Sequence, residues 1–472
     1  MSLHGGAGVP VRAGAARTAA RVPARPGRAR RAVLAAVAVG LAAWGGPAAA
    51  SPAAAAPASE VYPVPAARVL TVDGYGYGHG RGLSQWGAQG AATLGVPAER
   101  ILATYYPGTV ATVLPGAPIR IALTGLGKEG RLPTAAGAGD GRYECDSASS
   151  SAPVRCRLEV VPAAGLTVSD ATSGARQTLP TTVAGLAVTG WRVLNTGAAL
   201  QLQALTSGWV DYRVQGRAPS RGPVTFGGTH PSVRYLDGSV RTYRGTVSAV
   251  WTGATRVVRV NEVGLEKYLR SVVPQEAPPT WRPAALQAQA VAARSFSAAS
   301  RVARRGQLWH LCDSNACQVY AGTTLVPPGR APVPQELGST DAAISATRAS
   351  VRTYAGAVVR AEFGSSNGGW SVSGGVPWLP ARADPWDGVL PGTTHSWQAQ
   401  LPVAPLEARF GLARLDELVV LSRDGRGALG GRVLTVELRG VTSRGVATTV
   451  RTTGAAVSAA AGLRSPWFQP RE

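Results

Sequence analysis

Pro274-Gln275-Glu276-Ala277-Pro278-Pro279-Thr280-Trp281 runs directly into the small-residue stretch Arg282 to Arg301, and the reading of these two pieces decides the fold. Thr280 is placed to cap a helix, Pro283 falls in its first turn, and no glycine interrupts Ala284 through Val302. A helix is therefore predicted there, with Leu286, Gln289, Ala290, Ala293 and Phe296 on its buried stripe. Ahead of it, Glu276 is a lone carboxylate among prolines and a tryptophan. Lost hydration raises its pKa toward the range of a general acid. Gln289 is a polar group on a buried face, and Arg294 lies among Ala290, Val291 and Ala298. Each must satisfy loop carbonyls or point into a cleft, and both are taken forward as candidate substrate contacts.

Working outward, Gly74, Gly76, Gly78, Gly80 and Gly82 alternate with Tyr75, Tyr77, His79 and Arg81. A strand would put the glycines on one face, open to close approach, and the aromatic and donor groups on the other, as a sugar-binding surface requires. Leu83-Ser84-Gln85-Trp86-Gly87-Ala88 follows, then a short helical stretch ending in Tyr105-Tyr106-Pro107-Gly108-Thr109. The glycine spacing does not match GxGxxG and no P-loop lysine follows, so nucleotide binding is not indicated. A third block contains Glu362-Phe363-Gly364-Ser365-Ser366-Asn367-Gly368-Gly369-Trp370, then Trp378-Leu379-Pro380 and Asp384-Pro385-Trp386-Asp387. Its hydroxyls suit an approach to a polysaccharide. Trp378 and Trp386 either stack on sugars or belong to the core, and Asp384-Pro385 also reads as a turn.

The run from Val260 through Pro278, with Trp281 and Ala285 to Phe296, closely resembles the SpoIID/LytB family, which includes the stage II sporulation lytic transglycosylase and the amidase enhancers. The Gly74 to Thr109 block is similar to that family's GHG-x-G-x-SQ-x-GA segment, the third block to its serine and double-glycine loop, and Gly462 to Phe468 to its closing strand. Ala277 stands where the family often has methionine. The resemblance implies that Glu276 is the catalytic acid acting on peptidoglycan glycan strands. It also implies that His79, Arg81, Gln85, Tyr75, Tyr77, Ser365, Ser366, Gly368 and Trp378 are candidate substrate contacts. In the sporulation protein the glycine segment lies near the C-terminus, so the order here looks permuted, and whether His79 and Glu276 share a cleft stays open. A second, flanking carboxylate for hydrolysis would come from Glu262, Glu266, Asp313, Glu362 or Asp384.

Residues 1 to 56 hold seven arginines and no acid, and the apolar run Ala32 to Trp44 precedes Ala48-Ala49-Ala50. This reads as a secretory signal over residues 1–50, with a retained anchor as the alternative, followed by an Ala/Pro linker over 51–66. Removing the seven arginines lowers the formal charge from +22 to +15, nearly all of it arginine. Outside the cell such a balance favours the polyanions of the wall, and the scattered basic residues carry no nucleic-acid reader motif. Four cysteines in an exported chain suggest two disulfides, Cys145 with Cys156 and Cys312 with Cys317 by proximity. His310 with Cys312 and Cys317 is the alternative, an incomplete zinc set similar to that of a metal-binding family member.

The expected fold is α+β, mostly β: the glycine segment over 67–110, a β-rich insert over 111–235 and a catalytic core over 236–472. Strands are expected near 119–123, 158–161, 200–203, 240–260 and 415–450, with helices near 284–303 and 339–348. No cofactor is expected. The partners expected are glycan strands and, through the amidase-enhancer branch, a cell-wall amidase; the expected location is the cell wall or extracellular space.

Overall fold

A computed structural model describes residues 59–124, 157–217, 221–252 and 257–471. The expected signal segment and the Cys145–Cys156 pair lie outside the described residues. No helix among the described residues is long and apolar enough to cross a membrane.

Strand exceeds helix, and two large sheets form the centre. One is eight-stranded, ordered 209–211, 200–205, 190–195, 157–161, 232–234, 240–242, 324–326 and 333–334. The other is seven-stranded, ordered 311–312, 118–122, 257–264, 246–251, 224–227, 167–170 and 176–178. Pairing is antiparallel throughout, except that Leu311 and Cys312 run parallel to Ile121 and Ala122. The boundary expected at 235 falls in the turn of the hairpin that pairs Ser232 with Thr242. Strands from both sides of that boundary share both sheets and one apolar core, which includes Ile119, Val160, Trp191, Phe226, Val247 and Val351.

Five helices position the site: α1 (Gln85–Thr93), α2 (Ala98–Tyr105), α3 (Leu265–Glu276), α4 (Pro283–Ala303) and α5 (Gly338–Ala346). α4 is the predicted long helix, with Pro283 in its first turn, but Arg282 rather than Thr280 occupies the capping position and no side chain caps it. Its alanines let neighbours come close on nearly every side. Fourteen of its residues are buried, so a single stripe understates how deeply it sits. α3 was not predicted, because the prolines around Glu276 read as loop. Pro274 lies within its last turn, where it forgoes the bond that an N–H would give to the Arg270 carbonyl. Ser84 caps α1 by accepting the Gly87 N–H.

Residues 60–63, expected in the linker, form a strand paired with Glu417 to Val420. Val69–Tyr75 pairs with Ser396–Pro402 on one side and Phe468–Pro470 on the other. The first and last described strands thus pack in one apolar cluster, including Val72, Leu401, Leu418 and Phe468. From there the chain turns at Gly76 toward α4.

The glycine block is not a strand. The ladder stops at Tyr75, and Gly76, Gly78, Gly80 and Gly82 all have φ between +69° and +99°. A period of two in sequence reports here a period of two in backbone handedness, a conformation that side chains other than glycine's resist. The loop is held by a bridge from Tyr77 to Ser366, one from Arg81 to Val372, and Leu83–Ser84 alongside Phe363–Gly364.

Candidate functional site

Glu276 is the last residue of α3. Its Oε1 accepts the Val319 N–H at 2.9 Å. Burial raises its pKa, against which the Val319 N–H and the Gln85 amide pull it down. The carbonyl end of α3 adds to the upward push, because a helix C-terminus disfavours negative charge. Val319 is fixed by the neighbouring hairpin, closed by the Cys312–Cys317 disulfide with Cα atoms 5.5 Å apart. The half-buried carboxyl is therefore held at one oxygen and open to the cleft.

That cleft has a volume of about 290 Å³ and brings together Glu276, Gln85, His79, Arg81 and Ser365. The three sequence blocks meet in it, which answers the question left by their order. Asn315, Ala316 and Cys317 of the disulfide hairpin, Phe296 of α4, and Arg360, Glu362, Phe363 and Gly364 complete the wall. Of the five candidate second carboxylates, Glu362 alone lines it. Glu362 is paired with Arg81, and its other oxygen lies 3.9 Å from Arg360. Glu266 is bound to Arg294, Asp313 is buried, Glu262 is exposed on its strand, and Asp384 accepts the Trp386 and Asp387 N–H groups of its own turn.

His79 is exposed at the rim of the cleft, and partial desolvation first, then the Arg81 charge, lowers its pKa. Nδ1 accepts the Arg81 backbone N–H at 3.0 Å, which holds the ring at the cleft wall.

Several predicted contacts lie elsewhere. Arg294 is 1% exposed, donates to both Glu266 oxygens at 2.8 and 2.9 Å and also reaches the Ser350 and Ile344 carbonyls. It ties α4 to α3, and a substrate would have to displace that ion pair to reach it. Gln289 is 2% exposed and faces Gln85 rather than the cleft. Tyr75 packs on Trp467 and against His395, while Tyr77 is exposed beside Arg464. Ser366 donates to the buried Asp387 carboxylate, which also takes Ser84 and Asn367 and contacts His395 Nδ1 at 2.9 Å. Gly368 has φ +72°, and a Cβ there would lie 2.8 Å from the Gly76 nitrogen. Trp378 stacks on Tyr354 and Trp386 packs at Tyr105, both against the apolar cluster around α1, α2 and α4. These residues shape the loops that carry the cleft and do not line it. Sequence reasoning missed Arg360 and Asn315, which carry no motif signal.

The zinc alternative loses its ligands. Cys312 and Cys317 are bonded to each other, and His310 Nδ1 accepts the Arg120 backbone N–H at 3.0 Å. Burial and then the Arg120 charge push the His310 pKa down to about 4.

A pH signature follows from Glu276. Its folded pKa lies above its unfolded value, so its contribution to stability is complete below the unfolded carboxyl range and is lost as pH rises through the folded value. Glu276→Gln should therefore melt higher than wild type at neutral pH, and the advantage should vanish near about pH 4. Thermal melts of both proteins across that range check it; an equal difference at every pH would mean that the carboxyl titrates normally.

Residues 254–354 match the family model described as Stage II sporulation protein, SpoIID. The "Amidase enhancer" of Bacillus subtilis (strain 168) is 32% identical over 145 residues, 29% of this chain and 18% of that protein. "Stage II sporulation protein D" of Bacillus amyloliquefaciens is 28% identical over 172 residues, 34% of this chain and 49% of that protein. The protein of the same name in Bacillus subtilis (strain 168) is 27% identical over 178 residues, 36% of this chain and 50% of that protein. The matched stretches thus span half or less of these relatives. No solved structure matches the chain.

Proposed function

We propose, from membership of the SpoIID family through residues 254–354, that this chain cleaves peptidoglycan glycan strands as a lytic transglycosylase outside the cell. The observation that supports this most is the half-buried Glu276 carboxyl, raised in pKa and opening on the cleft that Gln85, Arg81 and Ser365 share. Neutral Glu276 gives its proton to the bridging oxygen of the MurNAc–GlcNAc bond, which leaves as the GlcNAc 4-hydroxyl. Positive charge develops at MurNAc C1. The Glu276 carboxylate then takes the proton of the MurNAc 6-hydroxyl, whose oxygen closes the 1,6-anhydro ring on C1. Glu276 ends neutral, ready for the next bond, and no water is consumed.

Incubating the chain with purified glycan strands and weighing the products tests this. Anhydro ends, one water lighter than reducing ends, are expected. Unchanged polymer with tighter binding of an amidase would instead assign the adaptor role that the name of one relative suggests.

Glu362 supports hydrolysis as a second reading, because it places another carboxylate in the same cleft. One oxygen is bound by Arg81 and the other lies 3.9 Å from Arg360, which favours a role in holding those cations. Glu362→Gln should therefore leave the product type unchanged and lower the rate by roughly tenfold, through loss of an ion pair at the cleft wall. Loss of reducing-end product in that variant would assign Glu362 as a general base.

A further inference from the structure

Three helices converge behind the acid, and two glutamines from distant parts of the chain meet there. Gln85 opens α1, Gln289 lies in the middle of α4, and Glu276 closes α3. Gln85 Nε2 donates to Gln289 Oε1 at 3.5 Å, and Gln85 lines the same cleft as the Glu276 carboxyl, whose pKa its amide pulls down. We propose that Gln289 is a positioning residue which, by holding the Gln85 amide, aims a hydrogen of that amide at Glu276. This rests on the reading of Glu276 as the acid.

The geometry argues for a relay and against two separate substrate contacts. Gln289 is 2% exposed among Ala288, Ala290, Ala292 and Ala293, all buried, so no substrate atom reaches it. Its Nε2 is buried without a hydrogen-bond partner. Such a donor costs stability, and an apolar side chain of similar length would fit this face better. Stability alone does not account for the amide, whereas its contact with Gln85 does. An amide nitrogen carries two hydrogens. With one fixed on Gln289 Oε1, the rotation of the Gln85 amide is set, and the other hydrogen is directed. A donor at the carboxyl favours the ionised form, opposing the push of burial, so the relay balances proton donation against the later proton uptake.

The test reads Glu276 directly. In the full chain with 13C-labelled Glu carboxyls, the Glu276 signal is assigned by its loss in Glu276→Gln and titrated in wild type, Gln85→Leu, Gln289→Leu and the double variant. Both single variants should titrate at higher pH than wild type, Gln85→Leu by more, and the double variant should match Gln85→Leu. Glycan cleavage should fall about tenfold in kcat with KM little changed, the size of one hydrogen bond to a charged group. Gln289→Leu should melt no lower than wild type. If it does melt lower, Gln289→Met is titrated in its place, and a normal titration there overturns the proposal. So does a Gln289→Leu titration equal to wild type, or a double variant whose shift is the sum of the two. Because the titration needs no turnover, shifted signals without any cleavage by wild type would uphold the relay and sink the transglycosylase reading. Cleavage with unmoved signals would do the reverse.

Discussion

Glu276→Gln should leave the chain folded and remove glycan cleavage. Gln keeps the shape, and its Oε1 can still accept the Val319 N–H that holds the wild-type carboxyl at 2.9 Å. What it lacks is a transferable proton. General acid–base catalysis contributes roughly 10²–10⁴-fold, and here one group serves both proton transfers, so the loss should lie at or beyond the upper end of that range. Release of anhydro-ended fragments, measured beside a thermal melt, separates lost chemistry from lost fold. Cleavage that persists in a folded variant would transfer the acid's role to Glu362, the other carboxyl on the cleft wall.

Gly82→Ala should be among the most destabilising single substitutions in the described chain, and Gly78→Ala among the mild ones. Both residues have positive φ, +69° and +99°, which alone costs an alanine about 1–2 kcal/mol. At Gly78 an added Cβ meets nothing within 4 Å. At Gly82 it would lie 1.9 Å from the Glu362 carbonyl oxygen and 2.8 Å from its carbon. That carbonyl accepts the Leu83 N–H at 3.1 Å and the Tyr106 hydroxyl at 2.8 Å, so it cannot withdraw without breaking both bonds. A cost of about 3 kcal/mol or more is expected for Gly82→Ala from strain and overpacking together. Displacing Glu362 would also move Arg81 on the cleft wall, so cleavage should fall with stability. Denaturant unfolding of the two variants side by side checks this; equal midpoints would mean that the close approach at Gly82 is not required.

The helix after Glu276, the strands near 119–123, 158–161, 200–203 and 415–450, and the short helix near 339 were legible because each repeats its apolar pattern locally. Glu276 stood out in the sequence by the prolines and tryptophan beside it, but the groups that share its cleft, Gln85, Phe296 and Glu362 among them, come from distant stretches. The errors are informative in the same terms. Pro274 hid α3, because a proline near a helix's end reads like a proline in a loop. The alternating glycines suggested a strand, yet their spacing records alternating backbone handedness, which composition cannot distinguish from a pleat. Arg294 looked available for substrate because its counter-charge, Glu266, lies on another helix 28 residues away.

By itself, the sequence determined the long helix after Glu276 and most of the strands, because hydrophobic period acts over a few residues. Only the tertiary structure decided what surrounds the Glu276 carboxyl. Val69–Tyr75, paired with Ser396–Pro402 and Phe468–Pro470, leads into the segment that brings Arg81 and Gln85 to the cleft, the loop after the disulfide presents the Val319 N–H, and Glu362 and Arg360 arrive from a third stretch. Contacts between residues some 200 positions apart, such as Gln85 with Gln289, leave no periodic trace in the chain, because they are fixed by how whole sheets and helices pack.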